Sequence, residues 1–198
     1  LTAGEVSIEV NGQRVPAYRA QPEGKTGLPV IIVVSEIFGV HEHIADIARR
    51  FAKLGYLAIA PDFFVRQGNP MAYTSIAELQ KEIISKVPDA QVMGDIDAYV
   101  KWAGENGGDI KRLGINGFCW GGRIVWLYSA HNPQVKAGAA WYGRLVGDKT
   151  ALFPQQPIDI APTLKTPVFG LYGGKDQGIP VSTVEQMKEA LQKAGNKS

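Results

Sequence analysis

The stretch Lys111-Arg112-Leu113-Gly114-Ile115-Asn116-Gly117-Phe118-Cys119-Trp120-Gly121-Gly122 runs without a break into the apolar segment Arg123-Ile124-Val125-Trp126-Leu127-Tyr128. It reads as a short strand ending at Gly117, a tight turn carrying Cys119, and a helix starting at Gly121. A side chain on such a bend sits in a strained backbone conformation, and the residues flanking it must be small for strand and helix to meet. Gly117-x-Cys119-x-Gly121 therefore matches a nucleophile elbow with sulfur as the nucleophile. The bend also sets the thiol at the positive end of the following helix, where free backbone N–H groups favour a thiolate and an oxyanion. A buried structural cysteine beside a glycine turn is the plainer alternative. The coincidence of strand, glycines and helix favours the elbow.

The bulk properties exclude several classes of function. With 198 residues, 45% hydrophobic and 20% charged, the chain is long enough for one well-packed core and too short for two, so residues 1–198 are read as one domain. A net charge of +2, with the basic residues spread along the chain, forms no basic stripe, and no apolar run approaches the roughly 20 residues of a membrane span. Neither nucleic acid nor membrane is implied, and a cytoplasmic location is the expectation. A single cysteine excludes an intrachain disulfide, and with three scattered histidines it cannot build a closed zinc site. Monomer or weak homodimer is the expected state.

Outward from the elbow, the pattern is that of an α/β protein. Val6, Ile8 and Val10 alternate with polar residues, Asn11-Gly12 is a type I′ turn signal, and Val15 to Tyr18 alternates again, which predicts an N-terminal β-hairpin. Leu28 to Val34 is continuously apolar, as a parallel strand covered on both faces must be. The loop Ser35 to His43 then leads into a helical pattern of Ile44, Ile47, Ala48, Phe51 and Leu54, stopped at Gly55. Tyr56 to Ala60 is a second buried strand. Helices are predicted over Ser75–Val87 and Asp89–Ala103, a strand over Val135–Tyr142, a long loop from Gly143 to Thr166, a strand from Val168 to Tyr172, and a last helix with Val184, Met187 and Leu191. This order specifies an open, mostly parallel twisted sheet with helices on both faces, whose ligand sites lie beyond the C-terminal ends of the strands.

Three of those strand ends carry candidate chemistry: Glu36-Ile37, Cys119-Trp120 and Asp176 in the Gly173-Gly174-Lys175-Asp176 loop. In the α/β-hydrolase order the acid follows the nucleophile and a histidine comes last, so Asp176 stands where the acid belongs. An aspartate in a glycine-rich loop can equally be a turn former.

With these segments in view, the sequence resembles the dienelactone hydrolase (carboxymethylenebutenolidase) family along essentially its whole length. The matching stretches are Val34-Ser35-Glu36-Ile37-Phe38-Gly39, Ala60-Pro61-Asp62-Phe63-Phe64, Gly117-Phe118-Cys119-Trp120-Gly121-Gly122, Ala140-Trp141-Tyr142-Gly143 and Gly170-Leu171-Tyr172-Gly173-Gly174-Lys175-Asp176. The resemblance implies an α/β-hydrolase fold, a Cys-His-Asp triad with Cys119 as nucleophile and Asp176 orienting the base, and a Glu36 that helps set the ionisation of the cysteine. It also implies an oxyanion hole made of the backbone N–H groups of Ile37 and Trp120. The reaction expected is hydrolysis of a small-molecule ester or lactone, which requires no cofactor and no metal.

The sequence departs from the family in two respects. Members that cleave dienelactone hold its carboxylate with arginines; between Pro61-Asp62 and the elbow this chain offers only Arg66, Lys81, Lys86 and Lys101. An uncharged or weakly anionic ester is therefore expected to be preferred over a dianionic dienelactone. Second, His41, His43 and His131 all precede Asp176. His41 and His43 are two apart, a poor metal pair on a helix. They read as helix-start residues, with His41 able to reach the cleft mouth, and His131 reads as a helix end before Asn132-Pro133. Tyr142 and His41 are candidates to line the substrate pocket. The triad order and the doubly wound pattern together lead us to expect that the native sequence continues past Ser198 with a strand, a loop histidine and a closing helix. The rival reading, suggested by the missing base, is a non-catalytic ligand-binding or regulatory member of the fold. A redox-sensing thiol is disfavoured because there is no second cysteine to resolve a sulfenic acid.

Overall fold

The computed structural model describes residues 1–198. Seven strands form one sheet: β1 (Thr2–Val10), β2 (Gln13–Gln21), β3 (Leu28–Val34), β4 (Leu57–Pro61), β5 (Gly108–Phe118), β6 (Val135–Trp141) and β7 (Val168–Leu171), in the spatial order β1-β2-β4-β3-β5-β6-β7. The hairpin β1–β2 turns through Asn11 (φ 51°) and Gly12 (φ 78°), the left-handed pair that a two-residue type I′ turn requires. β2 joins β4 antiparallel, and from β4 to β7 every pairing is parallel. The chain is thus a mostly parallel α/β sheet with the hairpin at one edge.

The alternation within β3 decides which helix covers which face. Ile31 and Val33, with Ala58 and Ala60 of β4, pack against Ile44, Ala48 and Ala52 of α1 (Glu42–Lys53). Val30, Ile32 and Val34 point the other way, into the main core, with Ile96 and Tyr99 of α3 (Asp89–Glu105) and Ile124, Val125 and Tyr128 of α4 (Trp120–His131). The Tyr99 hydroxyl donates to the Val15 carbonyl at 2.6 Å, which ties α3 to the hairpin and satisfies a hydroxyl buried far from water.

Two sequence expectations need correction. Ser75–Val87 is not one helix: α2 (Ile76–Glu82) stops at Ile83 (φ −121°, ψ −65°), and a 3₁₀ turn spans Ile84–Lys86. Ile83 and Ile84 are consecutive and both buried, and neighbours in a continuous helix lie about 100° apart, so the break lets both reach the core. The segment from Gly143 to Thr166 is not all loop. It contains the short α5 (Pro157–Ile160), begun by a reciprocal cap between Gln156 and Asp159 and by proline at the first helical position. α6 (Val181–Lys193) closes the described chain, with Met187 and Leu191 in the main core.

Candidate active site

Cys119 sits between β5 and α4 with φ 58° and ψ −117°, a conformation that a non-glycine residue adopts only where its surroundings force it. Three backbone bonds do the forcing. The Cys119 N–H donates to the Trp141 carbonyl at 2.8 Å, and its carbonyl accepts from the N–H groups of Gly122 (2.9 Å) and Arg123 (3.3 Å). The flanking glycines are a steric requirement: a Cβ on Gly117 would lie 2.2 Å from the Gly121 carbonyl oxygen, and one on Gly121 2.3 Å from that of Val34 and 2.7 Å from that of Ser35. The second contact matters for chemistry, because it brings the end of β3, and with it Glu36, against the elbow. The helix begins at Trp120, one residue earlier than its glycine pattern indicated.

The thiol is half-buried, and the groups around it come from four loops. Burial is the largest influence and pushes the thiol's pKa up. The neighbouring Trp120 backbone N–H and the Arg144 guanidinium pull it down, whereas the carboxylates of Glu36 and Asp176 add to the rise. The net direction is upward. The helix terminus alone was expected to favour a thiolate; in this chain desolvation and two carboxylates outweigh one amide and one exposed guanidinium. The Ile37 N–H, in a buried residue, has no acceptor within the chain.

Each carboxylate is held differently. The Glu36 side chain, mostly buried, meets Nε2 of His41 at 3.1 and 3.4 Å. Asp176 is exposed, and its Oδ1 accepts from the N–H groups of Gly178 (2.9 Å) and Ile179 (3.3 Å), which leaves Oδ2 without a partner in the chain. Tyr142 adopts φ 37°, its N–H held by the Leu171 carbonyl at 2.8 Å. Burial raises its phenol above the usual range, followed by the charges of Glu36 and Cys119, so it too faces the site.

The fold therefore brings together Cys119, Trp120, Glu36, Asp176 and Tyr142, with Ile37 next to Glu36 in the chain. The Trp120 ring packs on Phe63 and Phe64, with centroids 5.8 and 4.8 Å away, and forms a core wall under the site. His41 is turned with Nε2 onto the Glu36 carboxylate. His131 pairs with Asp97 at 2.8 Å, at the C-terminal end of α4. Arg66 is consumed by a buried, two-pronged pair with Asp95. Sequence reasoning missed Arg144, although it lies just beyond β6 on the same strand-end rule that singled out Glu36 and Asp176. No three His, Cys, Asp or Glu side chains converge with metal-binding geometry.

A parallel sheet with a strained residue on the turn from an inner strand into its helix defines an α/β hydrolase. The profile of the dienelactone hydrolase family matches residues 15–198, and the chain belongs to that family. It is 60% identical over 196 residues to a "putative carboxymethylenebutenolidase" of Methylorubrum extorquens, covering 98% of this chain and 67% of the relative. Its identity to a protein of the same description from Escherichia coli K12 is 55%, over 100% of this chain and 73% of the relative. The crystal structure described as a "putative dienelactone hydrolase" from Klebsiella pneumoniae superposes with a TM-score of 0.96 at 57% identity, over 98% of this chain and 82% of that one. The protein is thus a dienelactone-hydrolase-like hydrolase, and membership does not favour the non-catalytic alternative. No helix is long and apolar enough to cross a membrane.

Proposed function

We propose that this protein hydrolyses a small carboxylic ester or lactone through a thioester formed on Cys119. The observation that carries the reading is a cysteine in a forced elbow conformation, with the Trp120 N–H on the first turn of the helix that follows it and, at the end of β3 that packs on the elbow, an Ile37 N–H without an acceptor in the chain. In the first half-reaction the Cys119 thiol gives its proton to the base as its sulfur attacks the carbonyl carbon, and the oxyanion that forms is taken up by the N–H groups of Trp120 and Ile37. Each such donor is worth about 2.7–4 kcal/mol in related sites. The C–O bond then breaks and the alcohol departs with a proton from the base. In the second half-reaction water attacks the thioester, the base takes its proton, and the sulfur leaves.

The base in this reading is a histidine oriented by Asp176, whose free Oδ2 is the atom to receive an imidazole N–H. None of the three histidines in the chain serves: His41 is held by Glu36, His131 by Asp97, and His43 packs on Phe118 with centroids 6.2 Å apart. We therefore place the base outside residues 1–198, following Asp176 in the order that the fold expects. The substrate reaches a mouth bordered by Tyr142, with Arg144 as the one cation near the thiol. Turnover of p-nitrophenyl acetate with a burst of one nitrophenolate per Cys119, lost in Cys119→Ala, tests the proposal; full activity in that variant would end it.

A further inference from the structure

The Glu36 carboxylate has one hydrogen-bond partner in the chain, His41, and the way His41 is held gives that contact a purpose. His41 occupies the position just before the first turn of α1, where a polar side chain ordinarily bonds the helix's free N–H groups, yet its imidazole makes no capping bond. The chain instead folds back on itself. The Gly39 N–H donates to the Glu36 carbonyl at 3.4 Å, Gly39 takes φ 78°, and the His41 N–H donates to the Gly39 carbonyl at 3.1 Å. The Ala45 N–H, on the His41 carbonyl at 3.0 Å, locks the backbone of His41 to the helix. Aromatic neighbours fix the ring: Phe38 meets it edge-on at 6.3 Å, and His43 lies 6.0 Å away.

We infer that His41 is a positioning residue of the site: through Nε2 it fixes the Glu36 carboxylate in the orientation from which that carboxylate acts on the Cys119 thiol. The inference rests on the reading that Glu36 bears on the nucleophile. A carboxylate this shielded from water needs a hydrogen-bond donor to replace its lost hydration, and the His41 ring is the only donor in the chain that its oxygens meet. Nε2–H supplies it from a ring that helix α1 holds still. Without that bond the carboxylate is free to swing toward solvent, and its influence on the thiol weakens. The other charged or titratable groups facing this point are Tyr142 and Arg144 after β6 and Asp176 after β7; Glu42, His43 and Asp46 follow on α1 itself.

The test is the pH profile of Cys119 alkylation by iodoacetamide in the full-length protein, with circular dichroism to verify folding. Glu36→Gln removes a charge that holds the thiol protonated, so its midpoint falls. His41→Ala is expected to move the midpoint the same way and to speed alkylation at pH 7 by roughly threefold, a hydrogen-bond-sized effect. His41→Gln, which keeps an N–H donor, should recover at least half of the shift. In the Glu36→Gln background His41→Ala should add nothing, since the two act through one contact. No shift in His41→Ala, a shift upward, or one that adds in full to that of Glu36→Gln would overturn the inference while leaving Glu36 in place. No shift in Glu36→Gln would remove Glu36 itself from the site.

Discussion

The guanidinium of Arg66 faces the Asp95 carboxylate with two nitrogens, Nη1 meeting Oδ1 at 3.0 Å, the aspartate fully buried and the arginine nearly so. Arg66 is the one arginine between β4 and β5, and this pair leaves it unavailable to a substrate carboxylate. Removing one partner of a buried pair strands the other charge, and Nε of Arg66 already lacks an acceptor. Asp95→Ala is expected to cost about 3–5 kcal/mol of stability in urea unfolding. In the protein that remains folded, kcat for a neutral ester should change less than about twofold, because Arg66 does not reach the thiol.

With Arg66 occupied, Arg144 is the cation left to meet an anionic substrate. It forms no ion pair within the chain and is exposed, so its attraction for one carboxylate is worth about 1 kcal/mol, a factor of about five in KM. Arg144→Gln should raise KM about fivefold for an ester carrying one carboxylate and leave KM for a neutral ester unchanged. Its guanidinium also pulls the thiol's pKa down, so the same variant should move the midpoint of Cys119 alkylation upward. Equal effects on both substrates in steady-state kinetics would show that the guanidinium does not read the charge.

Gly121 separates the elbow from the end of β3, and the atoms a side chain there would strike are main-chain oxygens that no rotamer can move aside. Gly121→Ala must push Val34 and Ser35 away, and Glu36 with them. The expected result is a stability loss of about 2–3 kcal/mol by overpacking, together with a fall in kcat/KM larger than the population of folded protein accounts for. Gly114→Ala is the control. A Cβ there meets its nearest atom, the Ala137 carbonyl oxygen, at 3.6 Å, an ordinary contact, and activity should be retained.

What the sequence made legible was whatever depends on local pattern. Asn11-Gly12 announced the hairpin, the unbroken apolar run of Leu28–Val34 announced a strand covered on both faces, and Gly117-x-Cys119-x-Gly121 announced the bend. Ile83 and Ile84 misled, because a continuous helix would turn only one of two adjacent isoleucines fully inward, whereas this core takes both. The electrostatics of the site were the least legible. That Glu36 would meet His41, that Arg66 would be taken by Asp95, and that desolvation would outweigh the helix terminus at Cys119 are all consequences of contacts between distant or folded-back segments. No spacing rule encodes them.

Asp176 carries both a turn role and a proposed chemical one, and the two can be separated because they use different oxygens. Oδ1 accepts from the N–H groups of Gly178 and Ile179 and shapes the loop; Oδ2 has no partner in the chain. Asp176→Asn keeps an oxygen for the turn and removes the charge, so unfolding by urea should shift by less than about 0.5 kcal/mol, whereas Asp176→Ala loses the turn bonds and about 1 kcal/mol. The charge of Asp176 raises the thiol's pKa, so in both variants the midpoint of Cys119 alkylation should fall. If the carboxylate orients the base, kcat should nevertheless drop by on the order of a hundredfold or more in Asp176→Asn, since a more abundant thiolate does not replace a correctly held imidazole. A variant Asp176→Asn with normal turnover, beside an Asp176→Ala that is merely less stable, would reduce Asp176 to a turn residue and move the search for the acid to another loop at the C-terminal edge of the sheet.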